Sequence, residues 1–133
     1  MKLSILLVDD DEHVRRSVER LLRRSGHGVR TASNGAEALE SLKGDGEFDL
    51  LLTDVSMPRM SGIELLRALK EEGLSLPTLV MSGEATVAKA VEAVRLGAAD
   101  FLEKPVSKER LLVSLERCVE RARLKAENAF LRA

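Results

Sequence analysis

The sequence predicts a single α/β domain built on a doubly wound parallel sheet, and three observations carry that prediction. Several short apolar runs lack polar alternation, as strands buried on both faces require. Between them lie stretches whose apolar residues recur at helical spacing. Runs and helices then alternate along the chain, which argues for right-handed crossovers with helices on both faces of the sheet. At 133 residues the chain is long enough to bury a core without disulfides or structural metal.

The first run covers residues 3–8, and Asp9, Asp10 and Asp11 follow it directly. From Glu12 the spacing of Val14, Val18, Leu21 and Leu22 is helical, and Gly26 stops it. Residues 28–33 form a weaker, more polar strand suited to a sheet edge. Asn34 and Gly35 punctuate the chain, and Ala38, Leu39 and Leu42 mark a short helix closed by Gly44, Asp45 and Gly46. Residues 48–53 read as the central strand, running into Asp54 and then the turn at Met57 and Pro58. After Ser61 and Gly62, the residues Ile63, Leu66 and Leu69 put an apolar stripe on a helix that runs to Gly73. Pro77 opens a strand over residues 78–81, and Ser82 and Gly83 break it. Val87, Ala90, Val91 and Val94 give the next helix one apolar side, with Gly97 as its stop. Residues 99–103 are the last strand, and Lys104 and Pro105 its exit. Ser107 caps the final helix, where Arg110 occupies the position a capping box reserves for glutamate or glutamine.

That helix runs from about Lys108 to the terminus, past what a small sheet covers. Leu112, Leu115, Val119, Ala122, Ala126 and Ala129 follow heptad a and d spacing. Packing on the sheet accounts for residues up to Val119; beyond it, Leu124, Asn128 and Leu131 begin a helical connector or coiled coil.

Lys and Arg number 21 against 22 Asp and Glu, so no global basic field marks this segment for nucleic acid or an acidic membrane. The single cysteine, Cys118, cannot form an internal disulfide, which agrees with a reducing compartment. The N-terminus is too short in apolar residues for a signal peptide, and no stretch approaches the roughly 20 apolar residues of a membrane span. The expected location is cytoplasmic.

In a parallel sheet the strands exit at one edge, so Asp9, Asp10, Asp54, Ser82 and Lys104 are expected to converge there. Carboxylates held close together repel unless a cation neutralises them, and an all-oxygen cluster suits a hard divalent ion, typically Mg²⁺. An EF-hand calcium loop is a poor alternative, because the central glycine and the glutamate at its twelfth position are missing. Mg²⁺, a lysine and a hydroxyl around one carboxylate suit a transferring phosphoryl group, with Asp54 as nucleophile, Lys104 on the phosphoryl oxygens and Ser82 donating a hydrogen bond. No G-x-x-x-x-G-K-[ST] loop occurs, so a bound nucleotide is not indicated. The plainer reading of Asp54 is that it only starts a turn. Asp11 reads as solvated, His13 as a surface residue at a helix start, His27 as a loop residue, and Met57 and Met60 as turn and packing residues.

V-D-D-D at residues 8–11, D-V-S-M-P at 54–58, M-S-G at 81–83 and K-P at 104–105 resemble the receiver domain of two-component response regulators, over nearly the whole chain. The resemblance implies a flavodoxin-like strand order 2-1-3-4-5. It also implies a receiver over residues 1–119 with a helical extension at 120–133. Asp54 is then the phosphoacceptor, charged by a sensor histidine kinase. Mg²⁺ is held by Asp9, Asp10, Asp54 and the backbone carbonyl of Ser56, with Asp10 the direct ligand of the first two. Ser82 and Phe101 match the switch pair, and the Lys104–Pro105 bond is expected to be cis. Such a domain is a signalling module that assists its own phosphorylation and dephosphorylation rather than an enzyme. Val106 stands where the family often has phenylalanine, and Ser56 and Glu84 hold positions that tune the phosphoryl lifetime.

The stretch G-A-A-D-F-L-E-K-P at 97–105, with the long helix ending L-K-A-E-N-A-F-L-R-A, is similar to the receiver and linker of NtrC-type, sigma-54-dependent activators. That similarity implies control of transcription, with the chain either part of a larger regulator or a stand-alone receiver. The long helix itself points to a homodimer through the C-terminal helices. Two rivals remain from other classes. An aspartyl phosphatase of the haloacid dehalogenase type requires Thr or Val where this chain has His13, and a cap for which no segment is present. A partner-binding module with merely solvated acids predicts no Mg²⁺-dependent phosphorylation.

Overall fold

The apolar runs pair as five parallel strands: β1 (Ser4–Val8), β2 (Gly28–Ala32), β3 (Leu50–Asp54), β4 (Thr78–Ser82) and β5 (Asp100–Glu103), in the order β2-β1-β3-β4-β5. The helices between and after them are α1 (Glu12–Arg24), α2 (Gly35–Lys43), α3 (Gly62–Glu71), α4 (Val87–Arg95) and α5 (Lys108–Arg132). This computed structural model describes residues 2–44, 46–84 and 86–132, with residues 128–132 described by their backbone alone.

Alternation along each strand divides the core in two. Ile5, Leu7, Leu50, Leu52, Leu79, Met81 and Leu102 meet Leu22 of α1 and Leu111, Leu115 and Cys118 of α5 on one face. Leu6, Val8 and Leu51 meet Ala38, Leu65 and Leu69 of α2 and α3 on the other, and Val80 packs there with Leu66 and Ala93 of α3 and α4. Leu50, Leu51 and Leu52 are wholly buried, which is why the central strand reads as a continuous apolar run. The more polar β2 lies at the sheet edge, as expected.

Three expectations need correction. The central strand starts at Leu50, two residues later than expected, because Asp49 turns its carboxylate onto the Ser4 N–H at 2.8 Å and Phe48 packs against the core from the loop. It also ends one residue later, so that Asp54 is itself a strand residue, paired in register with Met81. The apolar side of α4 points outward: Val87 is 82% exposed, Val94 58% and Val91 43%, while Ala93 is the residue against the sheet. The valine stripe is rotated from the packed face by roughly one residue's turn of about 100°, and periodicity cannot say which way a helix is rotated.

The third correction concerns Asp11, which is the N-cap of α1 and not simply solvated. Its carboxylate accepts the N–H groups of His13 and Val14 at 2.9 and 3.2 Å, and the Val14 bond, with that of His13, holds its pKa below the ordinary value. His13 is an exposed residue in the first turn of α1, and Met57 and Met60 pack on the core, as read. On α5, Leu115 is buried in the domain, and Leu112 and Val119 pack partly against it. The side chains of Asn128, Ala129 and Leu131 lie outside the described residues. Among the described residues no helix is long and apolar enough to cross a membrane.

His27 does more than occupy a loop: its Nδ1 accepts the Leu3 N–H at 3.1 Å, and Leu3 O in turn accepts from Gly28 at 2.8 Å, joining the start of β1 to β2. Burial pushes the imidazole below its ordinary 6.5. A depressed value means that the unfolded chain takes the proton first, so this contribution to stability is complete above about pH 6.5 and is lost as pH falls to the folded-state value. Urea midpoints measured between about pH 7.5 and about pH 5 are expected to fall further for the natural chain than for His27→Gln, whose amide accepts the same N–H without titrating.

Candidate functional site

Because the sheet is parallel, β1, β3 and β5 all release their last residues at one edge. The turn after β1 is locked through the Asp9 backbone: its N–H donates to Ala32 O at 3.2 Å, and its O accepts from the Arg15 guanidinium Nη1 at 2.9 Å. Asp9 itself is fully buried, with Oδ1 accepting the Asp11 N–H at 3.0 Å and Oδ2 accepting Lys104 Nζ at 2.7 Å. Asp10 is exposed beside it. Asp54 is 6% exposed; its Oδ1 accepts the Val55 N–H at 3.0 Å and lies 3.2 Å from Lys104 Nζ.

Carboxylate oxygens of Asp9, Asp10 and Asp54 lie within 4.8 Å of one another, the one group of three metal-ligating side chains found among the described residues. Lys104 enters from the end of β5, three strands away from β1, and its ammonium bridges two of the three acids. Its backbone is tied by an N–H bond to Ser82 O at 2.9 Å, and the following bond to Pro105 is cis, as expected.

The electrostatics follow from this crowding. Burial raises the Asp54 pKa, the charge of Asp9 raises it further, and Lys104 offsets only part of the effect. Burial also opposes the charge on Lys104, yet the hydrogen bond to Asp9 and the charge of Asp54 hold it above its ordinary value, so the ammonium persists. Three carboxylates face one cation. The remaining negative charge and the all-oxygen donor set fit a hard divalent ion, and no thiolate or imidazole is present to favour a softer one.

The loop from β3 to α3 holds Asp54 in place. A Cβ on Gly62 would overlap the Asp54 carbonyl oxygen, so only glycine lets α3 begin this close, and the Gly62 N–H closes the loop onto Val55 O at 2.8 Å. Gly35, at the start of α2, donates to Met60 O at 3.0 Å and seats a second helix on the same loop. Ser61 and Glu64 form a complete capping box at the head of α3. That S-x-x-E signal was legible in the sequence, where Ser61 reads only as punctuation.

The remaining expected site residues are placed less tightly. Ser82 follows Met81, the register partner of Asp54, and is 2% exposed; its Oγ accepts the Glu84 N–H at 3.1 Å and is not joined to the acids. Phe101 pairs with Val80 and packs half-buried against the cluster of Val55, Leu66, Val80 and Ala93. Ser56 sits in an exposed bend directly after Val55.

An acid cluster bridged by a lysine at the carboxyl edge of a five-stranded doubly wound sheet defines a phosphoacceptor class of signalling domain. The chain belongs to the response regulator receiver domain family, whose model matches residues 5–116. It is a receiver domain of two-component signal transduction. It is 40% identical over 129 residues to the response regulator MprA of Mycobacterium ulcerans, a match covering 97% of this chain and 55% of that protein. It is 39% identical over 128 residues to the C4-dicarboxylate transport transcriptional regulatory protein DctD of Pseudomonas aeruginosa, covering 96% of this chain and 28% of that one. The crystal structure of NtrX from Brucella abortus superposes with a TM-score of 0.91 at 36% identity, over 100% of this chain and 30% of NtrX. The chain thus spans about half the length, or less, of these relatives.

Since a raised carboxyl pKa means that the ionised form costs stability above the unfolded-state value, removing the charge at Asp54 is expected to stabilise the fold at neutral pH in metal-free buffer. Asp54→Asn keeps an acceptor for the Val55 N–H, and its thermal midpoint in chelator is expected to lie above that of the natural chain. A lower midpoint would mean that the ion pair with Lys104 outweighs burial and repulsion.

Proposed function

We propose that Asp54 is the residue that takes the phosphoryl group, and that its donor is a phosphohistidine on a sensor kinase. One observation separates Asp54 from its neighbours. Both oxygens of Asp9 are engaged and the residue is wholly buried, whereas Oδ2 of Asp54 has no hydrogen-bond partner among the described residues and still reaches solvent. Asp10 is exposed and makes no side-chain hydrogen bond among the described residues. In the transfer, Asp54 Oδ2 forms a bond to phosphorus as the phosphorus–nitrogen bond breaks, and the imidazole leaves with the electron pair and takes up a proton.

The surrounding residues then have distinct parts. Lys104 is positioned to bind the phosphoryl oxygens with a charge that burial does not remove. The hydroxyl of Ser82 accepts from Glu84 and so retains its own hydrogen to donate. Asp9, Asp10 and Asp54, with the backbone carbonyl of Ser56, would hold Mg²⁺, which when bound supplies positive charge against the phosphoryl oxygens. A phosphoryl group on Asp54 draws Ser82 toward it and opens space that Phe101 enters, repacking α4 and β5, a coupling typically worth about 1–3 kcal/mol. The same groups assist both gain and loss of the phosphoryl group.

We assign residues 1–119 to the receiver and 120–133 to a helical extension, in a cytoplasmic regulator of transcription of the NtrC type. Likeness to DctD and NtrX supports the last point. The outward valines of α4, with Val113 and Leu124 exposed on α5, support a homodimer built from the last two helices. Ala122 and Ala126 border a hollow against Pro77 and Ala98, whereas Leu124 stands 47% exposed.

Incubation with Mg²⁺ and a small phosphodonor, read by intact mass, is expected to add one phosphate to the natural chain and none to Asp54→Asn. Asp10→Asn should require more Mg²⁺ for the same rate. A variant lacking Asp54 that gains phosphate at the natural rate would overturn the assignment. Removing residues 120–133 is expected to lower the dimer fraction in light scattering while leaving phosphorylation intact; a full-length chain monomeric with and without a phosphoryl mimic would reduce the long helix to a tether.

A further inference from the structure

At the amino edge of the sheet, opposite the acid cluster, two hollows of about 390 and 570 Å³ join into one open trough, sharing Ser75, Leu76, Gly97 and Lys125. Its floor is apolar, with Leu69, Leu76, Pro77 and Ala98, and Leu74 stands 37% exposed at one end. Its rim carries Lys70 from α3, Arg95 from α4, and Arg121 and Lys125 from α5. Among the described residues no acidic side chain lines either hollow. Nor does any of these four cations make an ion pair, although the chain overall is nearly neutral. Two acids of the same helices are engaged elsewhere, Glu72 at the end of α3 on Lys43 and Glu92 of α4 on Arg67.

Lys70 and Arg95 sit in the last turns of their helices, where a cation complements the helix dipole, so their presence alone demands no ligand. Arg121 and Lys125 lie well inside α5 and have no such reason, yet they face the same trough. We propose that this trough is a docking surface for an acidic, amphipathic polypeptide segment of a partner protein, its apolar side chains on the leucine floor and its carboxylates against the four cations. The cations come from three separate helices and border an open apolar floor, a layout suited to an extended chain carrying both kinds of side chain rather than to one small anion.

The test uses the full chain and a short fluorescent peptide composed of Leu, Ala and Glu, with binding read by anisotropy. The counterpart with Lys in place of Glu, and a single-stranded DNA of equal charge, serve as competing probes. The acidic peptide is expected to bind, to weaken as salt rises from about 0.1 M to about 1 M, where the screening length falls from about 10 Å to about 3 Å, and to lose about tenfold or more in affinity for Arg121→Glu/Lys125→Glu. Leu74→Ser is expected to weaken it at high salt as well. All three positions are exposed, and unchanged melting curves verify that the variants fold. Equal affinity of the acidic and basic peptides, undiminished binding to the double charge reversal, or DNA binding as tightly as the acidic peptide would overturn the proposal.

Discussion

The bridge that Lys104 makes to Asp9 and Asp54 is the interaction on which the carboxyl edge depends. Three acids within 4.8 Å of one another cannot all stay ionised in a largely buried place unless positive charge reaches them. The chain supplies one such charge, from β5, and routes it across β4 and β3 to β1. A single ammonium leaves the cluster short of neutral; burial first and the charge of Asp9 second raise the pKa of Asp54, and the same deficit leaves room for a divalent ion. The site is built to be completed from outside.

Holding that deficit in place falls to backbone contacts rather than side-chain packing. Gly62 lets α3 start against the Asp54 carbonyl, Gly35 brings α2 onto the same loop, and Asp11 caps α1 as it leaves the β1 turn. Three helices are therefore anchored within a few residues of the acids. Against this anchored surround, Phe101 is half-buried and α4 has Ala93 as its buried residue, so less packing holds them. The same α4 carries its valines outward, the surface on which the proposed homodimer draws.

The two edges of the sheet have opposite character, and α5 spans the distance between them. Its first turns pack Leu111 and Leu115 beneath the strands, and its later turns carry Arg121 and Lys125 over the amino edge. Acids gather where the strands end, and cations with no ion pair among the described residues where they begin. That division would keep phosphoryl chemistry at one edge apart from the contact surface proposed at the other.

Much of this was legible in the residues themselves. Unalternated apolar runs can be satisfied only by burial on both faces, so the number and parallel direction of the strands followed, and with them the gathering of Asp9, Asp10, Asp54 and Lys104 at one edge; the order in which the strands pair came from the family resemblance. Period and punctuation say where helices begin and end because those are local properties of the backbone. What tertiary structure alone decided are questions of rotation and reach. The valines of α4 read as a packed face and are turned to solvent, since Ala93 is the residue that short helix buries and an amphipathic pattern has no label for inside. Which Asp54 oxygen stays free, that Ser82 is held by Glu84 rather than joined to the acids, and that cations from three helices border one acid-free trough all depend on distances between residues far apart in the chain. Spacing along a sequence does not encode such distances; only the packing of the layers sets them.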